Sequence, residues 1–170
     1  IITGATRGIG KAIALKLASE GANIVVASKS VTENPKLGGT IYSAAEEIEA
    51  AGGKALAVQC DIRFEDQVQN VIDKAVETFG GIDILINNAS AINLTTTEKT
   101  EPKRFDLMHD INVRGTFFVT KACVPYLKKS ERGRILNISS VLGKIEIPFM
   151  STYVATKFAV VGFTHALNME

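Results

Sequence analysis

This sequence of 170 residues has few cysteines and a small net charge. Its only cysteines, Cys60 and Cys123, lie far apart and do not form the closely spaced set that a disulfide framework needs. A reducing intracellular compartment is therefore expected, with the cytosol, the mitochondrion and the peroxisome all left open. A net charge of +1 gives no electrostatic basis for binding nucleic acid or a membrane surface. We expect neither as a partner.

Long apolar runs are absent as well. No stretch free of charged residues is long enough to span a bilayer, and no charged leader precedes an apolar stretch. The chain opens at Ile1, directly before a glycine-rich turn, and stops at Glu170 inside a helical pattern that has no glycine or proline stop. We therefore predict one domain over residues 1–170 that is an internal piece of a longer protein.

Strand-like and helix-like segments alternate along the chain. Short, nearly all-apolar runs at 23–27 and 82–86 are expected of strands that are covered on both faces. Other segments carry apolar residues at three- and four-residue spacing, as in the long helix predicted from about Pro102 to Leu127. Strands interleaved with helices require right-handed crossovers. The sequence thus predicts an α/β fold, a doubly wound parallel sheet with helices on both faces.

A glycine-rich turn at Thr3–Gly10 follows the first predicted strand. Small residues there let the backbone approach a pyrophosphate, and the N-terminus of the next helix supplies free N–H groups and a positive dipole. The spacing of its glycines differs from the general dinucleotide-binding fingerprint. A turn that serves only the topology is the alternative.

A phenol and an ammonium group lie four residues apart at Tyr153 and Lys157, on one face of a predicted helix. The lysine cation favours the phenolate, so the tyrosine can exchange a proton with a reacting oxygen. Ser140, thirteen residues before Tyr153 and at the end of a strand, can hold that oxygen. Asn112 interrupts the apolar stripe of the long helix, and a buried amide must find partners there. Its alternative role is a structural hydrogen bond.

These motifs together resemble the short-chain dehydrogenase/reductase family, in the branch with the Tyr-x-x-x-Lys active site. The resemblance covers essentially the whole chain. It implies a Rossmann-type fold and hydride transfer between a nicotinamide cofactor and a carbonyl or alcohol. It also implies catalytic roles for Ser140, Tyr153 and Lys157, with Asn112 helping to order a water chain to the lysine. The segment Asn87–Ser90 resembles the family's Asn-Asn-Ala-Gly element, with a serine in place of the glycine.

The family resemblance also implies which residues bind the cofactor. They are Gly4, Thr6, Arg7, Gly8, Ile9, Gly10, Ser28, Lys29, Asp61, Ile62, Asn88, Ala89, Tyr153 and Lys157. An acidic residue in place of Ser28 would bind the adenosine ribose and repel a 2′-phosphate. Because Ser28 is neutral and Arg7 and Lys29 are cationic, NADP(H) is favoured over NAD(H). The alternatives are that both cations are solvated surface residues and that Asp61 is a helix N-cap.

An NADP(H)-dependent carbonyl reductase is the favoured function, with an NAD-dependent alcohol dehydrogenase and a catalytically silent nucleotide-binding module as alternatives. The loop 141–152 carries an apolar cluster suited to a lipid-like or ring-bearing carbonyl, unless it only packs the loop. Segments 35–42 and 88–92 are similar to the hydroxysteroid-dehydrogenase-like 2 group.

Family members commonly form dimers or tetramers, and their remaining specificity segment would lie beyond Glu170. His109 and His165 have no partner pattern for a metal, so no metal site is expected.

Overall fold

Five parallel strands form the central sheet of the computed structural model, which describes residues 1–170. The strands are β1 (Ile2–Thr3), β2 (Asn23–Ser28), β3 (Lys54–Gln59), β4 (Ile84–Asn87) and β5 (Arg134–Asn137). Their order across the sheet is β3-β2-β1-β4-β5. The chain therefore leaves β1 toward one edge and returns to the other side of β1 through β4, which opens a crevice at the carboxyl ends of the strands.

Helices cover both faces of this sheet, so the predicted doubly wound α/β fold is confirmed. They are α1 (Gly8–Ser19), α2 (Ile41–Ala50), α3 (Glu65–Phe79), α4 (Pro102–His109), α5 (Thr116–Leu127) and α6 (Ser151–Leu167). The side chains of β2 alternate between two buried clusters. Val25 and Ala27 pack with α3 and α5, whereas Ile24 and Val26 pack with α1 and α2. No helical segment combines the length with the apolar composition that crossing a bilayer requires.

Local capping residues set several helix boundaries. The Thr40 hydroxyl accepts the backbone N–H of Ser43 at 3.0 Å, and the Ser43 hydroxyl accepts the N–H of Thr40 at 2.9 Å. This reciprocal capping box satisfies donors that the first turn of α2 would otherwise leave unpaired. At the other end of a helix, Gly80 takes a φ of 82° directly after α3, a conformation that glycine adopts without steric cost.

The predicted long helix is not a regular α-helix throughout. A π-helical segment, Asp110–Gly115, separates α4 from α5. Within it the carbonyl of Asn112 accepts the hydroxyl of Thr116 at 2.9 Å. The wider turn carries the Asn112 side chain inward to polar partners on two neighbouring segments. Such π-helical turns inside α-helices occur frequently at functional sites.

Cys60 and Cys123 are both free and buried in the same apolar cluster, as the sequence predicts. Burial raises the pKa of each thiol to about 12. Both side chains are therefore neutral at cellular pH and act as small apolar residues in the core.

Candidate active site

The glycine-rich turn Thr3–Gly10 connects β1 to α1 and is held by the segment that follows β4. The side-chain amide of Asn88 donates to the carbonyls of Thr3 and Gly4 at 3.0 and 3.1 Å. A Cβ atom added at Gly10 would lie only 2.5 Å from that same amide nitrogen. Glycine is thus needed at position 10 so that Asn88 can reach the turn. Two of the predicted cofactor-binding elements are brought into direct contact.

A cavity of about 260 Å³ opens at the carboxyl ends of the strands, beside this turn. The predicted cofactor residues that line it are Gly4, Thr6, Arg7, Ser28, Lys29, Asp61, Ile62, Asn88 and Ala89. Ala27, Ser30, Cys60, Ser90 and Ile111 complete the lining. Gly8, Ile9 and Gly10 do not line it, and Ile9 is 66% exposed. Tyr153 and Lys157 lie outside this lining, on α6.

The lining has the chemistry that a phosphorylated dinucleotide requires. At Gly4 the backbone runs so close to Ala89 that an added Cβ would lie 3.0 Å from its Cα. The turn therefore exposes backbone rather than side chains, next to the N-terminus of α1, where free N–H groups attract anions. Arg7, in the glycine-rich turn, and Lys29, directly after β2, add cationic donors to the lining. A dinucleotide phosphate fits these residues.

Asp61 is bound by Arg63, which the sequence reasoning missed. The Arg63 Nε donates to Asp61 Oδ1 at 2.9 Å, and Nη2 donates to Oδ2 at 2.6 Å. These hydrogen bonds hold the pKa of the Asp61 carboxyl below its usual range. Asp61 is not a helix N-cap, because α3 begins after Phe64. A basic residue two positions after the acid was the only sequence signal for this pair.

Arg7 is partly engaged within the protein. Its Nη1 donates to the carbonyl of Gly38 at 2.9 Å, in the segment between β2 and α2. An arginine offers five N–H donors, so this bond leaves others for a ligand. Arg7 is therefore a positioned side chain in the wall of the cavity and not a freely solvated one.

Lys157 is buried beside Tyr153 on α6. Only 3% of Lys157 is exposed, and its Nζ lies 5.6 Å from the centre of the Tyr153 ring. The ammonium donates to the carbonyl of Ile138, at the end of β5, at 3.1 Å. Burial lowers the pKa of Lys157, because a charged group loses hydration there. The predicted phenol and ammonium thus share one helix face close to the sheet.

Ser140 lies three residues after the end of β5 and directly precedes a 3-10 turn, Val141–Gly143, that packs on α6. A Cβ added at Gly143 would lie 2.9 Å from the carbonyl oxygen of Lys157, which the neighbouring Ser139 hydroxyl binds at 3.1 Å. The Ser140 hydroxyl accepts the N–H of Leu142 at 3.2 Å, which leaves its own proton free to be donated. The structure therefore brings the Ser140 turn against the helix that carries Tyr153 and Lys157.

Asn112 is 2% exposed, and its side chain is fully hydrogen-bonded. Its Oδ1 accepts the N–H of Ala91 at 2.7 Å and the hydroxyl of Ser90 at 3.1 Å. Its Nδ2 donates to the carbonyl of Ala91 at 2.9 Å and to the hydroxyl of Thr156 at 3.0 Å. Ser90, which departs from the family's glycine, thus contributes one of these bonds. The structural hydrogen bonds that the sequence left as an alternative are present.

The contact with Thr156 connects Asn112 to the helix of Tyr153 and Lys157. None of the four hydrogen bonds of the Asn112 side chain goes to either of those two residues. A catalytic role for Asn112 through a water chain therefore stays a prediction. Thr156 has no catalytic signature of its own and was not singled out in the sequence.

The sequence model of the short chain dehydrogenase family matches residues 1–170, and the chain belongs to that family of NAD(P)-dependent oxidoreductases. Among curated proteins it is similar to hydroxysteroid dehydrogenase-like protein 2 of Bos taurus, with 62% identity over 141 residues. That match covers 83% of this chain and 34% of the relative. The predicted resemblance to the hydroxysteroid-dehydrogenase-like 2 group is confirmed. The chain spans about a third of the length of these curated relatives.

Solved structures of the same family share the fold. A short chain dehydrogenase from Mycobacterium thermoresistibile has a TM-score of 0.90 and 44% identity, with 98% of this chain and 61% of that chain covered. An alcohol dehydrogenase from the archaeon Thermococcus sibiricus, complexed with 5-hydroxy-NADP, has a TM-score of 0.91 and 28% identity. That comparison covers 99% of this chain and 68% of the other. The Rossmann-type fold is therefore confirmed.

Proposed function

We propose that the full-length protein is an NADP(H)-dependent oxidoreductase that moves a hydride between the nicotinamide and a carbonyl or alcohol. The observation that carries this proposal is the packing of the Ser140 turn against the helix of Tyr153 and buried Lys157. This packing supports a site in which a hydroxyl, a phenol and an ammonium act on the same substrate oxygen. Acid–base exchange with a substrate oxygen needs this combination.

The preference for NADP(H) rests on the charge at the end of β2. Ser28, Lys29 and Arg7 all line the cavity, and no carboxylate stands at position 28 to repel a 2′-phosphate. Arg63 adds a further cation close by, although it is paired with Asp61. The Thermococcus sibiricus relative, which is complexed with 5-hydroxy-NADP, supports the same preference.

Each catalytic residue has a separate task in the proposed reaction. When bound, the nicotinamide supplies or accepts the hydride. The Ser140 hydroxyl donates its proton in a hydrogen bond to the substrate oxygen, while its own oxygen accepts the N–H of Leu142. The Tyr153 phenol gives that substrate oxygen a proton during reduction and takes it back during oxidation. Lys157 supplies positive charge close to the phenol, which stabilises the phenolate.

An apolar substrate, lipid-like or ring-bearing, suits the loops that follow β4 and β5. These loops expose Ile92, Leu94, Ile145, Ile147 and Phe149 to solvent. Phe149 takes a φ of 67°, which non-glycine residues rarely adopt and which is often associated with functional sites. The hydroxysteroid dehydrogenase-like relatives carry a name that agrees with a substrate of this kind.

A homo-oligomer formed through the helices that carry Asn112 and Tyr153 is part of the proposal. A groove of about 410 Å³ lies between the π-helical segment with the start of α5 on one side and α6 on the other, and Phe117 and Phe163 are among its apolar lining residues. Phe117 is 47% exposed and its ring centre lies 6.2 Å from that of Phe163, so the two form part of an apolar patch of the kind that marks an interface. Replacing Phe117 with Glu in the full-length protein should lower the mass measured by light scattering. An unchanged mass would remove this interface from the proposal.

Titration of the full-length protein with NADPH and with NADH, followed by nicotinamide fluorescence at matched salt, tests the proposal. Tighter binding of NADPH is expected. Tighter binding of NADH would favour an NAD-dependent alcohol dehydrogenase, and binding of neither would favour a catalytically silent nucleotide-binding module.

A carbonyl screen with the Tyr153→Phe variant as control tests the chemistry, because that variant should lose turnover and keep cofactor binding. Full turnover in the variant would contradict the assignment of Tyr153.

A further inference from the structure

We propose that the segment Asn34–Gly39, between β2 and α2, determines cofactor specificity by holding the Arg7 guanidinium in the wall of the cofactor cavity. This inference rests on the NADP(H) preference proposed above and assigns a positioning role to a segment that does not itself line the cavity. Two backbone contacts carry it, one from Gly38 and one from Gly39.

The first contact joins Gly38 to Arg7. The carbonyl of Gly38 accepts a hydrogen bond from Arg7 Nη1 at 2.9 Å. An arginine side chain loses rotamer entropy when a ligand orders it. The bond removes part of that freedom before a ligand arrives. The remaining N–H groups of Arg7 are thereby offered from a fixed position, which suits a planar donor that binds a phosphate.

The second contact presses Gly39 onto the glycine-rich turn. A Cβ added at Gly39 would lie 2.3 Å from the carbonyl oxygen of Thr6 and 3.6 Å from the Cβ of Arg7. Gly39 also has a φ of +74°, a conformation in which other residues are strained. Only glycine can therefore sit here, and its close approach places the neighbouring Gly38 carbonyl within reach of Arg7.

The segment is held together by its own hydrogen bonds. Asn34 Oδ1 accepts the N–H groups of Lys36 and Leu37 at 2.9 and 3.2 Å. The N–H of Gly38 donates to the carbonyl of Asn34 at 2.7 Å. Such Asx-type turns fix a short loop without side-chain packing. Because these bonds hold the segment in one conformation, a displacement of Gly39 should also displace Gly38.

A fixed Arg7 guanidinium should act mainly on the 2′-phosphate of the cofactor. A 2′-phosphate offers anionic oxygens to Arg7 and to Lys29, which lines the same cavity. The unphosphorylated ribose of NAD(H) has hydroxyls in that position and gains much less from a fixed guanidinium. Loss of the Gly38–Arg7 contact should therefore weaken NADPH binding and leave NADH binding nearly unchanged.

The test measures the Kd of NADPH and of NADH for full-length wild type, Gly39→Ala and Gly52→Ala. Gly52 is the matched control, because it also has a positive φ, +87°, but no atom lies within 4 Å of an added Cβ. Gly39→Ala should reduce the preference for NADPH by about tenfold, the size expected for one charge-assisted hydrogen bond. Gly52→Ala should leave the preference unchanged. Equal weakening of both cofactors in Gly39→Ala would overturn the positioning role.

An Arg7→Ala background shows whether the effect passes through Arg7. In that background Gly39→Ala should change the preference no further, and a full additional loss would overturn the inference. Should Gly39→Ala not fold, Asn34→Ala is the milder variant and should reduce the preference in the same direction. An Asn34→Ala variant with the wild-type preference would then count against the role. A wild type without NADPH preference would instead overturn the proposed cofactor, which is a separate result.

Discussion

The side-chain amide of Asn112 donates to the hydroxyl of Thr156 across 3.0 Å, and that hydroxyl in turn donates to the carbonyl of Tyr153 at 2.7 Å. Both side chains are buried. The π-helical segment is thereby joined to the helix of the phenol and the ammonium, one residue before Lys157. We therefore predict that the Thr156 hydroxyl, which has no direct part in the proposed chemistry, positions the candidate active site.

Thr156→Val tests this dependence, because it removes the hydroxyl and keeps the shape. It leaves one of the two N–H groups of the buried Asn112 amide without a partner, while the bond to the Ala91 carbonyl remains. An unpaired buried donor should cost about 1–3 kcal/mol of unfolding free energy. We expect turnover of the full-length protein to fall roughly tenfold, since misplaced catalytic groups lose rate steeply. Thermal unfolding and carbonyl reduction measure the two effects.

Two control variants separate positioning from stability. Thr156→Ser restores the hydroxyl and should recover most of the turnover. Thr164→Val, on the same helix, removes a hydroxyl that accepts from Asn137 and donates to Val160, away from the candidate catalytic residues. It should lose similar stability and keep turnover. Equal turnover in Thr156→Val and wild type would refute the positioning role of Thr156.

Gly10→Ala should disrupt the glycine-rich turn. The added Cβ would lie 2.5 Å from Asn88 Nδ2 and 2.7 Å from the carbonyl oxygen of Gly4. Overpacking of this kind costs about 1–3 kcal/mol, so the unfolding temperature should drop and both nicotinamide cofactors should bind more weakly. Gly81→Ala is the control, because nothing lies within 4 Å of its added Cβ. Gly10→Ala with wild-type stability and cofactor binding would mean that the Asn88 contact is dispensable.

Arg63→Gln should make the stability less dependent on pH in the acid range. Arg63 keeps the pKa of Asp61 below its usual range, so the folded state favours the carboxylate more than the unfolded chain does. The pair therefore stabilises the fold above the ordinary pKa of aspartate, and this contribution is lost as the pH falls through the lowered value. At neutral pH the variant should be less stable by about 1 kcal/mol, measured by denaturant unfolding. If wild type stayed more stable than Arg63→Gln by the same amount below the pKa of Asp61, the Asp61–Arg63 pair would not be the source of the difference.

Lys157→Met should stabilise the protein at neutral pH and abolish turnover. Burial lowers the pKa of Lys157, so the unfolded chain binds the proton more tightly than the folded state does. The buried charge opposes folding below the lowered pKa, and this penalty disappears as the pH rises toward the ordinary lysine value of about 10.4. The excess stability of the variant should therefore shrink at alkaline pH. Thermal unfolding of wild type and variant without cofactor, from neutral to alkaline pH, measures this difference in stability. A difference that does not change with pH would contradict a lowered pKa of Lys157.

Much of the fold follows from local pattern. Short apolar runs such as residues 23–27 are typical of strands buried on both faces, and their alternation with helices predicts a parallel sheet. Nine of the fourteen residues predicted to bind the cofactor line one cavity, because the ends of parallel strands meet at one edge. The Ser140 turn follows the end of β5 and packs against α6, the helix that carries Tyr153 and Lys157.

Three features could not be read from the sequence. The π-helical segment around Asn112 keeps the three- and four-residue spacing of an α-helix, so periodicity does not reveal it. The Asp61–Arg63 pair depends on side-chain rotamers, which sequence spacing does not determine. The contact of Gly38 with Arg7 joins residues 31 positions apart, and its partner atom is a backbone carbonyl that carries no sequence identity.

The strand order β3-β2-β1-β4-β5 divides the molecule by position in the chain as well as in space. Arg7, the Asn34–Gly39 segment, Lys29 and Asp61 all precede β4, whereas Ser140, Tyr153 and Lys157 all follow it. An exchange of the first half between relatives should therefore carry the proposed determinants of cofactor choice as one inherited unit and leave the proposed acid–base residues in place. Selection can act on the two properties separately, with β4 as the natural crossover point.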